Sequence, residues 1–378
     1  MKNYIGYLDY ENIENMPDYY IASHEYIFFL HDHCAKLLVE FDKSNISELG
    51  LDYLLDKYEE KTGSSPLDII DVLTFYKKNN LDAPYYHFLT SKLLIGLVSD
   101  LLHFIYESLK CFEKRKFSVA YSLLRKPLKE NLIFICWLFN NHENFIELFE
   151  QETHKSLNNL REAKIKMILK ETINNLPLPE MFDFEILYNM IFSKQLSTGL
   201  ETPCQRATHL ITSQGEFLKT KERSINSIFD DPFDDSYYDS MHICLPYIML
   251  FTTHVIVEAF NNLIKLNNNT YQHLLLVSIA SYENLYIDGR KRKLTKSLSR
   301  NFKSFLGCIH CKKTIKIQKE NALRMFMLNQ LFCNHCYMYS DFPFYWLIAQ
   351  VKISISHNNS DEIDIWKNTI LSRMFKEK

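Results

Sequence analysis

The sequence predicts a mainly α protein, a multi-helix body with a small metal-binding module embedded toward its C-terminal end. Three observations carry this. Apolar residues recur three and four apart over long stretches, as the buried face of a helix requires. Nowhere do strands alternate with helices, and neither a heptad nor an internal repeat is sustained. Glycine is scarce, 8 in 378 residues, which disfavours folds built on many left-handed turns or on a glycine-lined phosphate loop. With 47% hydrophobic and 24% charged residues, the chain has the balance of an ordinary globular protein and is long enough to bury a sizeable core. The aromatic fraction of 14%, chiefly Tyr and Phe, accompanies abundant Asn, Ile and Lys, so a single aromatic carries little functional weight.

Taken in order, residues 1–20 show no periodicity and read as an arm. From Tyr20 to about Asp42, the residues Ile21, Ile27, Phe28, Leu30, Leu37, Leu38 and Phe41 fit a helix packed on one face. It carries His24, His31 and His33; the last two point about 200° apart on a helix and do not easily share one ion. Two short helices fill 43–83, with Ser65 expected to cap the second and Pro66 at its first position. Asp82 opens a long helix to about Glu113, striped with Phe88, Leu89, Leu93, Leu94, Leu97, Leu101, Ile105 and Leu109. Phe117 to Asn140 is another, kinked at Pro127, where the proline removes a hydrogen bond. Beside the kink, Arg125, Lys126, Lys129 and Glu130 read as a polar face with a local charge lattice. A more polar helix is expected from Phe145 to Glu171.

Pro177 and Pro179 mark the clearest internal boundary. The expected organisation is an N-terminal helical region (1–176), a second helical region (177–288), a basic segment with the metal module (289–340) and a helical tail (341–378). In the second region a helix over Pro179–Leu196 precedes a loop-rich stretch to Tyr238. Its acidic patch, Asp230 to Asp235, lacks the alternation and glycine of an EF-hand loop and reads as a solvated loop or a counterpart for a basic segment. Helices over Ser240–Lys265 and Thr270–Ile287, joined by a short link, form an antiparallel hairpin. Met241 to Phe260 approaches membrane-spanning length but contains His242, Pro246, His254 and Glu258, which favours a buried core helix over a transmembrane one. Cys34, Cys111, Cys136, Cys204 and Cys244 are scattered singly, and no basic-then-apolar leader opens the sequence. Reduced thiols and a cytoplasmic location are the expectation.

The sharpest signal is Cys308-Ile309-His310-Cys311, twenty-one residues, then Cys333-Asn334-His335-Cys336. Each C-x2-C turn offers two thiolates to one tetrahedral ion, with backbone N–H groups free to bond the sulfurs. From Gly289 to Lys319 there are also eleven cations: Arg290, Lys291, Arg292, Lys293, Lys296, Arg300, Lys303, Lys312, Lys313, Lys316 and Lys319, with no Asp or Glu. The whole chain is −3, so removing these eleven positive charges leaves −14 elsewhere. Wound as a helix, 290–305 would turn Leu294, Leu298, Phe302 and Phe305 to one side and its cations to the other. Such a surface neutralises phosphates, and nucleic acid is the expected partner, with a protein partner as the alternative.

Residues 307–337 resemble the zinc ribbon and treble-clef group of small zinc modules. By that resemblance Cys308, Cys311, Cys333 and Cys336 would hold one structural Zn²⁺, with no open position for a catalytic water. The glycine usual after the second cysteine is replaced by Lys312 and Tyr337. Thr314 to Ile317 alternates like a strand and Asn321 to Leu331 reads as a helix, so a knuckle–strand–helix module is expected. Further on, Lys352-x4-His357 resembles the Arg and His pair of the HEPN family of helical ribonucleases. That likeness implies His357 assisting attack by a ribose 2′-OH and Lys352 holding phosphate charge, with lysine in the arginine's place. Arg206 and His209 are a second catalytic candidate pair. A third reading makes the metal a structural clasp between helical halves, with function residing in protein contacts.

Overall fold

The computed structural model describes residues 4–79, 82–151, 160–213, 219–226, 231, 233–287, 293–342, 348, 350 and 351. Its helices are α1 (Tyr10–Ile13), α2 (Asp18–Lys43), α3 (Ile46–Thr62), α4 (Ile69–Lys78), α5 (Asp82–Glu113), α6 (Phe117–Lys126), α7 (Leu132–Asn140) and α8 (His142–Phe149). They continue as α9 (Glu162–Asn175), α10 (Phe184–Phe192), α11 (Glu201–Thr208), α12 (Asp239–Leu263), α13 (Asn268–Tyr286), α14 (Lys293–Asn301) and α15 (Lys319–Leu328). Strands β1 (Gln330–Phe332) and β2 (Tyr339–Asp341) pair antiparallel, with Leu331 opposite Ser340. The mainly α class is what the apolar spacing predicts.

The body is organised around α12. Its side chains from Met241 to Phe260 are buried, Ile243 excepted, and α2, α5, α7, α10 and α13 pack around it. Two helices, Ala83–Glu113 and Asp235–Leu263, are long and apolar enough to cross a membrane by length and composition. The most apolar window of the second is 94% buried inside the protein, as a core helix requires. Its inward hydroxyls bond the preceding turn, Thr252 to the Ile248 carbonyl and Thr253 to that of Met249, both at 2.8 Å, so they enter the core without an orphaned donor. The scattered cysteines are free thiols, and all but the half-buried Cys111 are buried.

Several local expectations are corrected. Asp68, not Ser65, caps α4, its carboxylate accepting from the Asp71 amide at 2.9 Å. The helix expected over 145–171 is two: α8 begins earlier on the Asn141 cap, and the extended backbone of Arg161 opens α9. The helix expected from Pro179 is a 3-10 turn, Pro179–Met181, followed by α10 on the Asp183 cap. At Pro127 the missing N–H is absorbed by a π turn over Pro127–Asn131 rather than by a break. The charges there reach other helices instead of one another: Lys126 pairs with Asp100 at 2.6 Å, and Lys129 with the buried Glu201. In the acidic patch Asp235 pairs with Arg115 at 2.9 Å, and not with the basic segment.

The N-terminal arm is ordered, for a reason no local pattern reveals. The Glu25 carboxylate, buried in α2, accepts the amides of Ile5, Gly6 and Tyr7 at 2.6, 2.6 and 2.9 Å. Gly6 sits at φ 130°, a conformation other residues rarely adopt, and this lets three successive amides converge. Glu283, on α13, does the same at the start of α14, accepting from Lys293, Leu294 and Thr295 at 2.6, 3.0 and 3.1 Å. Burial pushes both carboxyls upward while the amides pull them down.

Candidate metal centre

The module begins where α14 leaves Glu283. Leu298 and Phe302 bury one side of this segment, and the 3-10 turn Lys303–Phe305 leads to the first knuckle. There the Cys308 amide donates to the Lys313 carbonyl at 2.9 Å and the Lys312 amide to the Cys308 carbonyl at 3.0 Å. The second knuckle repeats the pattern: Cys333 to Met338 at 3.0 Å and Tyr337 to Cys333 at 2.8 Å. Between them the expected strand over 314–317 is absent. A single bridge joins Gly307 to Thr314, and the strands lie instead on either side of the second knuckle. Asn321 ties the intervening chain together, its side chain donating to the Lys316 and Phe332 carbonyls while accepting from the Gln318 amide.

Cys308, Cys311, Cys333 and Cys336 are brought together as expected, with all four sulfurs within 4.8 Å of one another. The Cys308 and Cys336 sulfurs are 3.6 Å apart, those of Cys311 and Cys333 3.7 Å. These are far beyond a disulfide bond. A tetrahedral ion bound at about 2.3 Å asks for sulfurs about 3.8 Å apart, so the cluster has the size of a metal site. Backbone donors surround it: the Cys311 amide reaches the Cys308 sulfur at 3.5 Å and the His335 amide the Cys333 sulfur at 3.4 Å. The Cys311 amide is the main reason the Cys308 thiol is held down to about 6, toward the thiolate that binds metal. His310 and His335 are exposed, which leaves the four sulfurs as the donor set. Among the described residues this is the one cluster of three or more Cys, His, Asp or Glu able to hold a metal ion.

The module is tied to the body on two sides. The Asn284 amide group donates to the Lys319 carbonyl at 3.1 Å. Arg324 donates to the Tyr4 carbonyl at 3.0 Å, and the Tyr7 hydroxyl to the Met327 carbonyl at 3.3 Å. Glu25 and Glu283, which make this anchorage possible, escape sequence reasoning because an isolated glutamate on an apolar helix gives no sign of which amides it meets.

The remaining candidates are less gathered. Lys293, Lys296, Arg300 and Lys303 are all exposed, as are Lys312, Lys313, Lys316 and Lys319; Arg290, Lys291 and Arg292 lie outside the described residues. Arg206 is exposed in the last turn of α11 and His209 is exposed just beyond it. The His209 carbonyl accepts from Asn226 at 2.7 Å. Lys352 and His357 lie outside the described residues. Burial lowers two histidines of the body, His24 and His254, to about 3.

Compared with known proteins, the chain matches no family model, no curated protein and no solved structure. The functional reading therefore rests on the geometry above.

Proposed function

We propose that this protein binds nucleic acid on a cationic surface built from α14 and the two knuckles, and that zinc holds this surface in shape. The observation that carries the reading is the division of 293–319. Every Lys and Arg in it is exposed and it contains no acid, while Thr295, Leu298, Phe302, Leu306, Ile315 and Ile317 are buried. A solvated row of cations with its apolar side docked is what phosphate neutralisation requires. Four thiolates in a closed, redox-neutral tetrahedron suit Zn²⁺, which would supply structure and no catalytic water.

The test is fluorescence anisotropy of the metal-loaded protein with labelled oligonucleotides, beside metal quantification by mass spectrometry. Binding should weaken steeply with salt. Reversing Lys296, Arg300 and Lys303 to Glu should flatten that dependence by roughly 0.7–0.9 of a log unit for each phosphate left unneutralised. No affinity for any oligonucleotide at low salt overturns the reading. Cleavage of the probe during the assay would point to the ribonuclease alternative. A single cooperative loss of all helices on chelation would favour the metal as a clasp for a protein-binding body.

A further inference from the structure

The two knuckles share a departure at the position where such turns usually carry glycine. The residue after the second cysteine of each pair is left-handed, φ 61° at Lys312 and 60° at Tyr337. Glycine occupies this conformation without steric penalty, whereas a side chain does not. Neither side chain offsets that penalty by burial: Lys312 is exposed and Tyr337 is 66% exposed. Each position directly follows a cysteine of the same four-sulfur cluster.

Around Tyr337 the module gathers a cluster of tilted aromatic rings. Phe332 lies 6.2 Å from the Tyr337 ring and 4.9 Å from that of Tyr339. The Arg324 guanidinium covers Tyr339 at 4.6 Å from the ring centre, and Tyr339 is 46% exposed. On the other knuckle stand Lys312, Lys313 and Lys316, all exposed. We infer that the knuckle tips form a site for single-stranded nucleic acid, in which an unpaired base stacks on Tyr337 and the phosphates run over Lys312 and Lys313. This rests on the nucleic-acid reading above and narrows it. In a duplex the base faces are already occupied by neighbouring bases, so exposed rings select unpaired ones, whatever their sequence.

The experiment uses the full-length, zinc-loaded protein and oligonucleotides of one length, single-stranded and duplex, in DNA and RNA. Single strands should bind about tenfold more tightly than duplex. Tyr337→Gly should remove about tenfold of single-strand affinity, as expected for one stacked base, and leave duplex affinity unchanged. Tyr337→Phe, which keeps the ring, should bind as the native protein does. Both Tyr337→Gly and Lys312→Gly relax the left-handed backbone, so each should retain zinc longer against a chelator, and weakened binding then cannot be charged to unfolding. Equal affinity for single strands and duplex, or an unchanged Tyr337→Gly variant, overturns the single-strand site and leaves the broader reading standing. No binding to either overturns both.

Discussion

From Met241 to Phe260 nearly every side chain is buried, whereas from Lys303 to Lys316 only Leu306, Cys308 and Ile315 are. The body is held by apolar burial around α12, which also lowers His24 and His254 to about 3. The first knuckle stretch has few buried side chains of its own. The module's apolar burial comes from Ala322, Met325, Phe326 and Leu331 on α15 and β1, to which are added the four sulfurs of the knuckles, Asn321 and the Glu283 carboxylate at the start of α14. The difference teaches that the two regions answer to different chemistry: burial for one, a four-sulfur cluster able to hold a metal and hydrogen bonds to carboxylates for the other.

The largest break should come from removing the metal. Zinc binding to such sites supplies on the order of 10 kcal/mol to folding of the segment that holds it. Chelation should therefore strip hydrogen-exchange protection from 306–342, while α12 amides and the Ile5, Gly6 and Tyr7 amides held by Glu25 stay protected. Simultaneous loss at α12 would erase the distinction between the regions. Next in size is Glu283→Ala, which leaves the three amides at the start of α14 without their acceptor. Hydrogen bonds to a charged partner contribute about 1.5–3 kcal/mol each, and the freed amides recover part by hydration. The expected loss is about 3 kcal/mol in urea denaturation, with detachment of α14. A loss within error of zero would mean that the carboxylate does not anchor the helix.

The smallest effect sharpens the body's side of the comparison. Burial holds His24 and His254 at about 3, below the ordinary value near 6.5. Below pH 6.5 the unfolded chain gains protons at these sites that the folded body refuses, so their contribution is full above that pH and falls as the solution is acidified. By pH 5 each site should have withdrawn about 2 kcal/mol. His24→Phe should therefore lose less stability than the native protein between pH 7 and pH 5, metal release being common to both. Parallel slopes would show that His24 is not held neutral by burial.

Much of this architecture was legible in the chain. The stripe from Phe88 to Leu109 specifies α5, and the apolar spacing after Tyr20 found α2. The one-faced packing expected in α2 is corrected, however: Ile21 to His31 are buried on every side, Ser23, His24 and Glu25 included. The cysteine spacing specifies the metal cluster because four sulfurs on two tight turns have few other uses. Ser65 lost the cap to Asp68 because a carboxylate nearer the first turn reached the free amide. The strand expected over Thr314 to Ile317 failed because alternation without a neighbouring strand pairs with nothing, while Gln330 to Phe332 found β2 across the knuckle. Glu25, Glu283 and the ion pair of Lys129 with Glu201 were out of reach, since each depends on which distant segment arrives. Lys312 and Tyr337 were visible only as missing glycines until their backbone angles gave that absence a meaning.

The Arg324 bond to the Tyr4 carbonyl joins residues 320 apart in the chain. Closing a loop of that length is slow and entropically unfavourable, and it can be completed only after both ends have their local shape. Glu25 readies one end early, over a separation of only 18–20 residues. The other end waits for four thiolates to meet an ion. If the site takes a metal as proposed, its availability should set the last step of folding, and metal-free molecules should have a finished body, an N-terminal arm still held by Glu25 and an open seam along α15.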